Sequence, residues 1–292
     1  MQQVNIIINQ VAAMMLLVII GYLAGKKGYL PRDIGTYISK VIIRITAPSL
    51  IISTMTSYNF DSKTLSDGLW VSFFAIAFML FSLLESKLFS KLLRLEGATA
   101  NVFMDHIMLG NVSYMALPLI KAVFGDRAVV LAAFFVLSFE LLNWTVGVYL
   151  LNRHYKLTLT GTLKKMVNAN TIACIIGLIF ALTNLQRYIS GNTVSAAIYK
   201  VFYSTFSPLG SCTLPLVMLF IGLSTAENTG WRFLDIVKKP ATLVLSIIKL
   251  LLTPFIALAV MLLLGGLVDP LVRTIVVLDL AMPCAAIIVA LS

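Results

Sequence analysis

The chain predicts an all-α polytopic membrane protein, an inverted repeat of five helices per half with broken crossover helices four and nine. Three observations lead there. Of 292 residues, 60% are hydrophobic and 12% charged, with mean hydropathy +0.97; a soluble protein so apolar would have too few polar residues to cover its surface. Apolar runs recur at the length that crosses a bilayer, roughly 20 residues. One of those runs is interrupted by Gly110, Asn111 and Pro118, and a backbone group left unpaired in hydrocarbon costs several kcal/mol, so a break survives only against protein or a water-filled cavity.

In order, the apolar runs lie near 4–24, 34–56, 69–89, 102–124, 128–151, 170–186, 196–223, 241–264 and 271–292. Met1 to Gln10 carries no positive n-region, so no cleavable signal peptide is expected. The chain stops at Ser292 inside an apolar run, and truncation before a tenth helix is the expectation.

The loops orient these runs. Lys26, Lys27 and Arg32 follow the first; Lys87, Lys91 and Arg94 the third; Arg153, Lys156, Lys164 and Lys165 the fifth; Arg232, Lys238 and Lys239 the seventh. The alternate loops are poorer in cations. The positive-inside rule makes the first set cytoplasmic and the N-terminus external. The formal charge of +10 therefore reports topology, not nucleic-acid binding.

Landmarks recur along the chain. Pro48 and Pro215, Pro118 and Pro283, and Gly21 and Gly177 keep their order, and Ala116-Leu-Pro118 matches Ala281-Met-Pro283. Runs one to five then correspond to six onward, with 1–151 as the first repeat, 152–169 a short cytoplasmic loop, and 170–292 an incomplete second repeat of four helices. An odd number of spans per copy forces inversion. Interrupted segments at matching positions in two inverted halves point to a solute site. Chance is the plainer account, since membrane helices carry proline freely.

Several residues fit such a site. Asn111 offers amide donors and a carbonyl, and beside a half-helix N-terminus those donors suit a carboxylate; the bland alternative is that it bonds a neighbouring helix. Ser113 and Tyr114 add hydroxyls. Pro118 and Pro283 open the backbone. Cys174, Cys212 and Cys284 lack metal-ligand spacing and read as packing residues; Cys284 is also a candidate substrate contact.

Ionisable residues inside apolar runs are costly, on the order of 2.5–3.5 kcal/mol on insertion scales. Asp279, roughly 15 Å along a helix from Asp269, is a coupling-ion candidate; a salt bridge to Lys249 is the alternative. Glu140 is a second candidate, with Asn143 on the same helical face. Asp105, with His106, sits near the cytoplasmic end of run four, where a solvated interface accounts for it and a proton path is the sharper reading. Arg44 requires a partner if buried, unless it snorkels.

Other classes find little support. Asp279 follows Val276-Val277-Leu278 and lacks the Gly-x-Gly-Asp context of an intramembrane aspartyl protease; Gly210-Ser211 has no rhomboid frame; no acids are spaced for magnesium-diphosphate. No catalytic residue or resident metal is expected, and no filter-like repeat suggests a pore.

The stretch Gly21-Tyr-Leu-Ala-Gly-Lys-Lys-Gly-Tyr-Leu-Pro31, Ala47-Pro-Ser-Leu50, Gly110-Asn111 with Leu117-Pro118-Leu119 and Phe124-Gly125, Asn170 to Gly177, Pro215 to Gly222, and Ala281-Met-Pro283 together resemble the auxin efflux carrier family, which includes plant PIN proteins and bacterial carriers of small organic acids. The resemblance runs nearly the whole chain. It implies ten helices in two inverted repeats, crossing broken helices four and nine, and elevator-like transport of a small organic anion across the cytoplasmic membrane. It implies no cofactor beyond a coupling proton or Na+, and it alone suggests a homodimer. The chain departs in lacking a recognisable tenth helix and the long central loop; its short 152–169 loop is like that of bacterial members. A membrane receptor for a small acid is the alternative.

Overall fold

The computed structural model describes residues 2–31, 33–58, 61–151, 168–183, 189, 193–227 and 240–284, without the side chains of 2–7, 113, 114, 118, 122, 181 and 182. The described residues form helices, joined by one isolated backbone bridge. Among the described residues six helices are long and apolar enough to cross a membrane: Ile8–Lys26, Ile34–Ser57, Ser62–Leu92, Asp126–Leu151, Thr193–Glu227 and Pro240–Leu263. They coincide with six of the expected runs. Leu84, Leu88, Leu262 and Leu263 are exposed on them, the arrangement a lipid solvent favours.

The other runs are shorter in helix. Run six is helical over Ala169–Thr183. Run four is divided into Gly97–Met108, a π-helical turn at Val112–Ala116, and Leu117–Phe124. Run nine is helical over Pro270–Leu280 and leaves the helix at 281–284; the remainder of that run, the loop cations from Arg153 to Lys165, and Arg232, Lys238 and Lys239 fall outside the described residues.

Proline explains three of the four π turns described. Ile42–Thr46, Val112–Ala116 and Ile248–Leu252 each end two residues before a proline: Pro48, Pro118 and Pro254. A proline has no N–H for the carbonyl four residues back, and its ring pushes that carbonyl aside, so the preceding turn widens. The fourth, Asn143–Gly147, has no proline after it in its helix.

Two compact units partition the chain. The first holds 1–61, 117–130 and 169–231. Its helices approach closely at glycines. A Cβ on Gly21 would lie 2.5 Å from the Leu219 carbonyl oxygen, and one on Gly222 would collide with the carbonyl of Val18. One on Gly177 would lie 2.6 Å from the Met55 Cβ, and one on Gly210 the same distance from the Leu50 Cα. Small residues let membrane helices come within backbone contact where lipid supplies no hydrophobic drive. Tyr199 adds a hydrogen bond to the Thr56 carbonyl at 3.0 Å.

The second unit holds 62–116, 131–168 and 232–292. Ser62–Leu92 turns into Gly97–Met108 through Arg94 (φ 53°) and Gly97 (φ 56°). At the far end Asp269 caps the Pro270–Leu280 helix, accepting from the Leu271 N–H at 2.8 Å, while Pro270 occupies the first turn where no N–H is missed. Lys63 pairs with Asp269 at 3.1 Å.

Candidate functional site

The site is built where two helices of the second unit stop. Gly97–Met108 ends at Leu109, whose N–H still bonds the Asp105 carbonyl at 2.9 Å. Pro270–Leu280 ends in a turn in which the N–H of Ala281 reaches Val277 at 3.0 Å and that of Met282 reaches Asp279 at 3.3 Å. Backbone freed by both breaks pairs across: Gly110 and Cys284 form an antiparallel bridge, and the Asn111 N–H donates to the Pro283 carbonyl at 2.7 Å. Each break thus supplies partners to the other, which is how non-helical backbone can persist away from water.

Gly110 leaves little room for a side chain. A Cβ there would sit 3.3 Å from the Asp279 carbonyl oxygen, 3.3 Å from the Lys249 ammonium and 3.4 Å from the Met282 carbonyl oxygen. Lys249, from the Pro240–Leu263 helix, is therefore beside the break. It is 1% exposed and donates to the Ile107 carbonyl at 3.1 Å, one of the orphan carbonyls at the helix C-terminus, where the helix dipole favours a cation. On the same helix Thr253 donates its hydroxyl to the buried Glu85 Oε2 at 3.0 Å. The sequence reading treated Lys249 only as a partner for Asp279. As the single cation of an apolar 24-residue helix it was itself the signal.

The expected site residues separate into groups. Asn111 is buried in this break, and its side-chain oxygen has no hydrogen bond among the described residues. Pro283 is exposed and Cys284 half-buried, and both contribute backbone to the pairing. Ser113 and Tyr114 belong to the π turn and Pro118 to the start of the next helix; their side chains are outside the described set.

Asp279 is 1% exposed, and neither carboxylate oxygen has a partner among the described residues. A salt bridge to Lys249 is absent there; the ammonium turns to Ile107 instead. Glu140 is held: Oε2 accepts from the Trp144 indole N–H at 2.7 Å and from the Asn168 amide at 2.9 Å. Asp105 is not at a solvated edge. It is fully buried, with both oxygens unpartnered among the described residues, because the Asn143–Gly147 turn packs over it. His106 bonds the Val102 carbonyl through Nδ1 at 2.8 Å, so that nitrogen carries the proton. Arg44 is exposed.

A buried ammonium and opened backbone in one place can bind an anion and orient it, while the unpaired Asn111 oxygen beside them is an acceptor and suits a donor or a cation. Comparison with known proteins agrees with a membrane transporter. A model of the membrane transport protein family matches residues 6–292. An uncharacterized transporter of Methanothermobacter thermautotrophicus is 25% identical over 249 residues, spanning 85% of this chain and 76% of the relative. The chain is a multi-pass membrane protein and belongs to the membrane transport protein family, the family of the auxin efflux carriers.

Proposed function

We propose that the protein is a secondary transporter of a small carboxylate anion, working by elevator-like alternating access in the cytoplasmic membrane with its N-terminus outside. The observation that carries the reading is the pairing of the 110–111 and 283–284 breaks next to the buried Lys249 ammonium. A carboxylate entering there meets a charge-assisted donor and the Asn111 amide, which in a low-dielectric site bind more strongly than in water.

The inverted repeat draws support from the units. Runs one, two, six and seven fall in the first, and three, eight, nine and most of five in the second, while run four is divided between them at Leu117; apart from run four, matching runs of the two halves share a unit. Gly21 of run one packs on run seven, while its counterpart Gly177 of run six packs on run two. Such an exchange is what pseudo-symmetry between the halves requires. In this reading the breaks at 110–111 and 283–284 meet within the second unit, which is the moving body, and the first unit, which holds the Leu117–Phe124 half of run four, is the scaffold.

Uptake of labelled di- and monocarboxylates into proteoliposomes tests the proposal. Accumulation of at least one acid, with weakened affinity in Lys249→Met, is the expected result. Binding without accumulation would make the protein a receptor.

A further inference from the structure

We propose that Asp105, Asn143 and Gly147 form a binding site for a small monovalent cation, sodium, within the second unit. The point where a Cβ on Gly147 would sit is 2.8 Å from the Asp105 Oδ1 and 3.5 Å from the Asn143 Oδ1, with the Leu109 Cδ1 at 3.2 Å. Two side-chain oxygens thus converge on one small volume that stays open because residue 147 has no side chain. Asp105 is 0% and Asn143 1% exposed, and all four of their terminal polar atoms lack hydrogen-bond partners among the described residues.

That arrangement calls for an occupant. An unpaired buried carboxylate is among the most costly groups a fold can contain, and burying a polar amide unsatisfied adds to the cost. A water molecule would satisfy hydrogen bonds without neutralising the charge. A proton would neutralise it but needs one acceptor oxygen. A hard monocation is stabilised by several oxygens at once, which is the donor set here.

The backbone gives an independent reason. Asn143 and Gly147 are the two ends of the one π turn described that no proline accounts for. A π turn without a steric cause is frequently found at a functional site. It brings the amide of Asn143 and the bare Cα of Gly147 together beside Asp105. The site deepens the transport reading, on which its role as a coupling site rests: Asp105 belongs to the same helix, Gly97–Met108, that ends at the paired breaks.

The test separates binding from transport. Thermal unfolding of the purified protein is measured in NaCl, KCl and choline chloride at equal ionic strength, and radioactive sodium binding is measured at equilibrium. Sodium is expected to raise the midpoint in a saturable manner and to bind in competition with no more than weak effect from potassium. Asp105→Asn and Gly147→Ala should lose both responses, whereas Asp126→Asn, which alters an exposed carboxylate, should keep them. Identical midpoints in NaCl and choline chloride, together with no sodium bound by the unaltered protein, would overturn the site even if neither variant folds. Retention of sodium binding in Asp105→Asn would do the same. Absence of any sodium response in the unaltered protein, with its carboxylate uptake intact, sinks this site alone; sodium binding with no acid transported sinks the transport reading alone.

Discussion

The Asn111 N–H and the Pro283 carbonyl oxygen lie 2.7 Å apart, joining two helix breaks from opposite halves of the chain. The contact puts a peptide donor from one interrupted helix on a peptide acceptor from the other. It also fixes where Gly110 must lie, within side-chain reach of Lys249.

Filling that space should damage the site first. Gly110→Val would push a branched side chain into the Lys249 ammonium and the Asp279 and Met282 carbonyls. Overpacking of this kind costs about 1–3 kcal/mol. The expected outcome is a lowered unfolding midpoint and uptake near background; wild-type uptake would show that the break tolerates a side chain.

Lys249 and Asn111 should govern affinity. A hydrogen bond to a charged group contributes about 1.5–3 kcal/mol, so Lys249→Met is expected to raise the half-saturating acid concentration roughly 10- to 100-fold. Asn111→Ala should raise it about five- to tenfold with near-normal folded yield. Concentration-dependent uptake and detergent-extracted yield check both. Unchanged half-saturation in either variant removes that residue from the site.

Glu140 should behave as a structural acceptor. Glu140→Ala leaves the Trp144 indole N–H and the Asn168 amide without their partner, and an unsatisfied buried donor costs about 1–3 kcal/mol. The unfolding midpoint should fall, and fall less in Glu140→Gln, which keeps one acceptor oxygen. Ion dependence of uptake should stay as in the wild type; a changed dependence would return Glu140 to the coupling machinery.

Asp279 should act otherwise. With no partner for either oxygen among the described residues, its charge is free to be met by a transported proton or cation. Asp279→Asn is expected to flatten the pH or sodium dependence of uptake while leaving yield unchanged. An unaltered profile in both titrations would exclude it from coupling.

The sequence was informative wherever a local rule operates. Membrane-length hydropathy located six long helices because each span has to satisfy its own backbone in lipid. Gly110, Asn111 and Pro118 disclosed the break in run four, and Ala281-Met-Pro283 the one in run nine, since glycine and proline act on the backbone of their own turn. The sequence set Asn143 on Glu140's face, whereas Glu140 accepts from Trp144, one helical turn away, and from Asn168, which folding brings in.

Tertiary structure decided what surrounds each charge. Asp105 looks peripheral by its position along run four, yet it is fully buried because Asn143 and Gly147 of a distant helix close over it. Lys249 looks like a counter-ion for Asp279, yet its ammonium reaches the Ile107 carbonyl. Hydropathy and helix breaking are properties of a short stretch of chain and can be read from it. Burial and pairing of a charge depend on which remote segments pack against it, and only the folded arrangement specifies those.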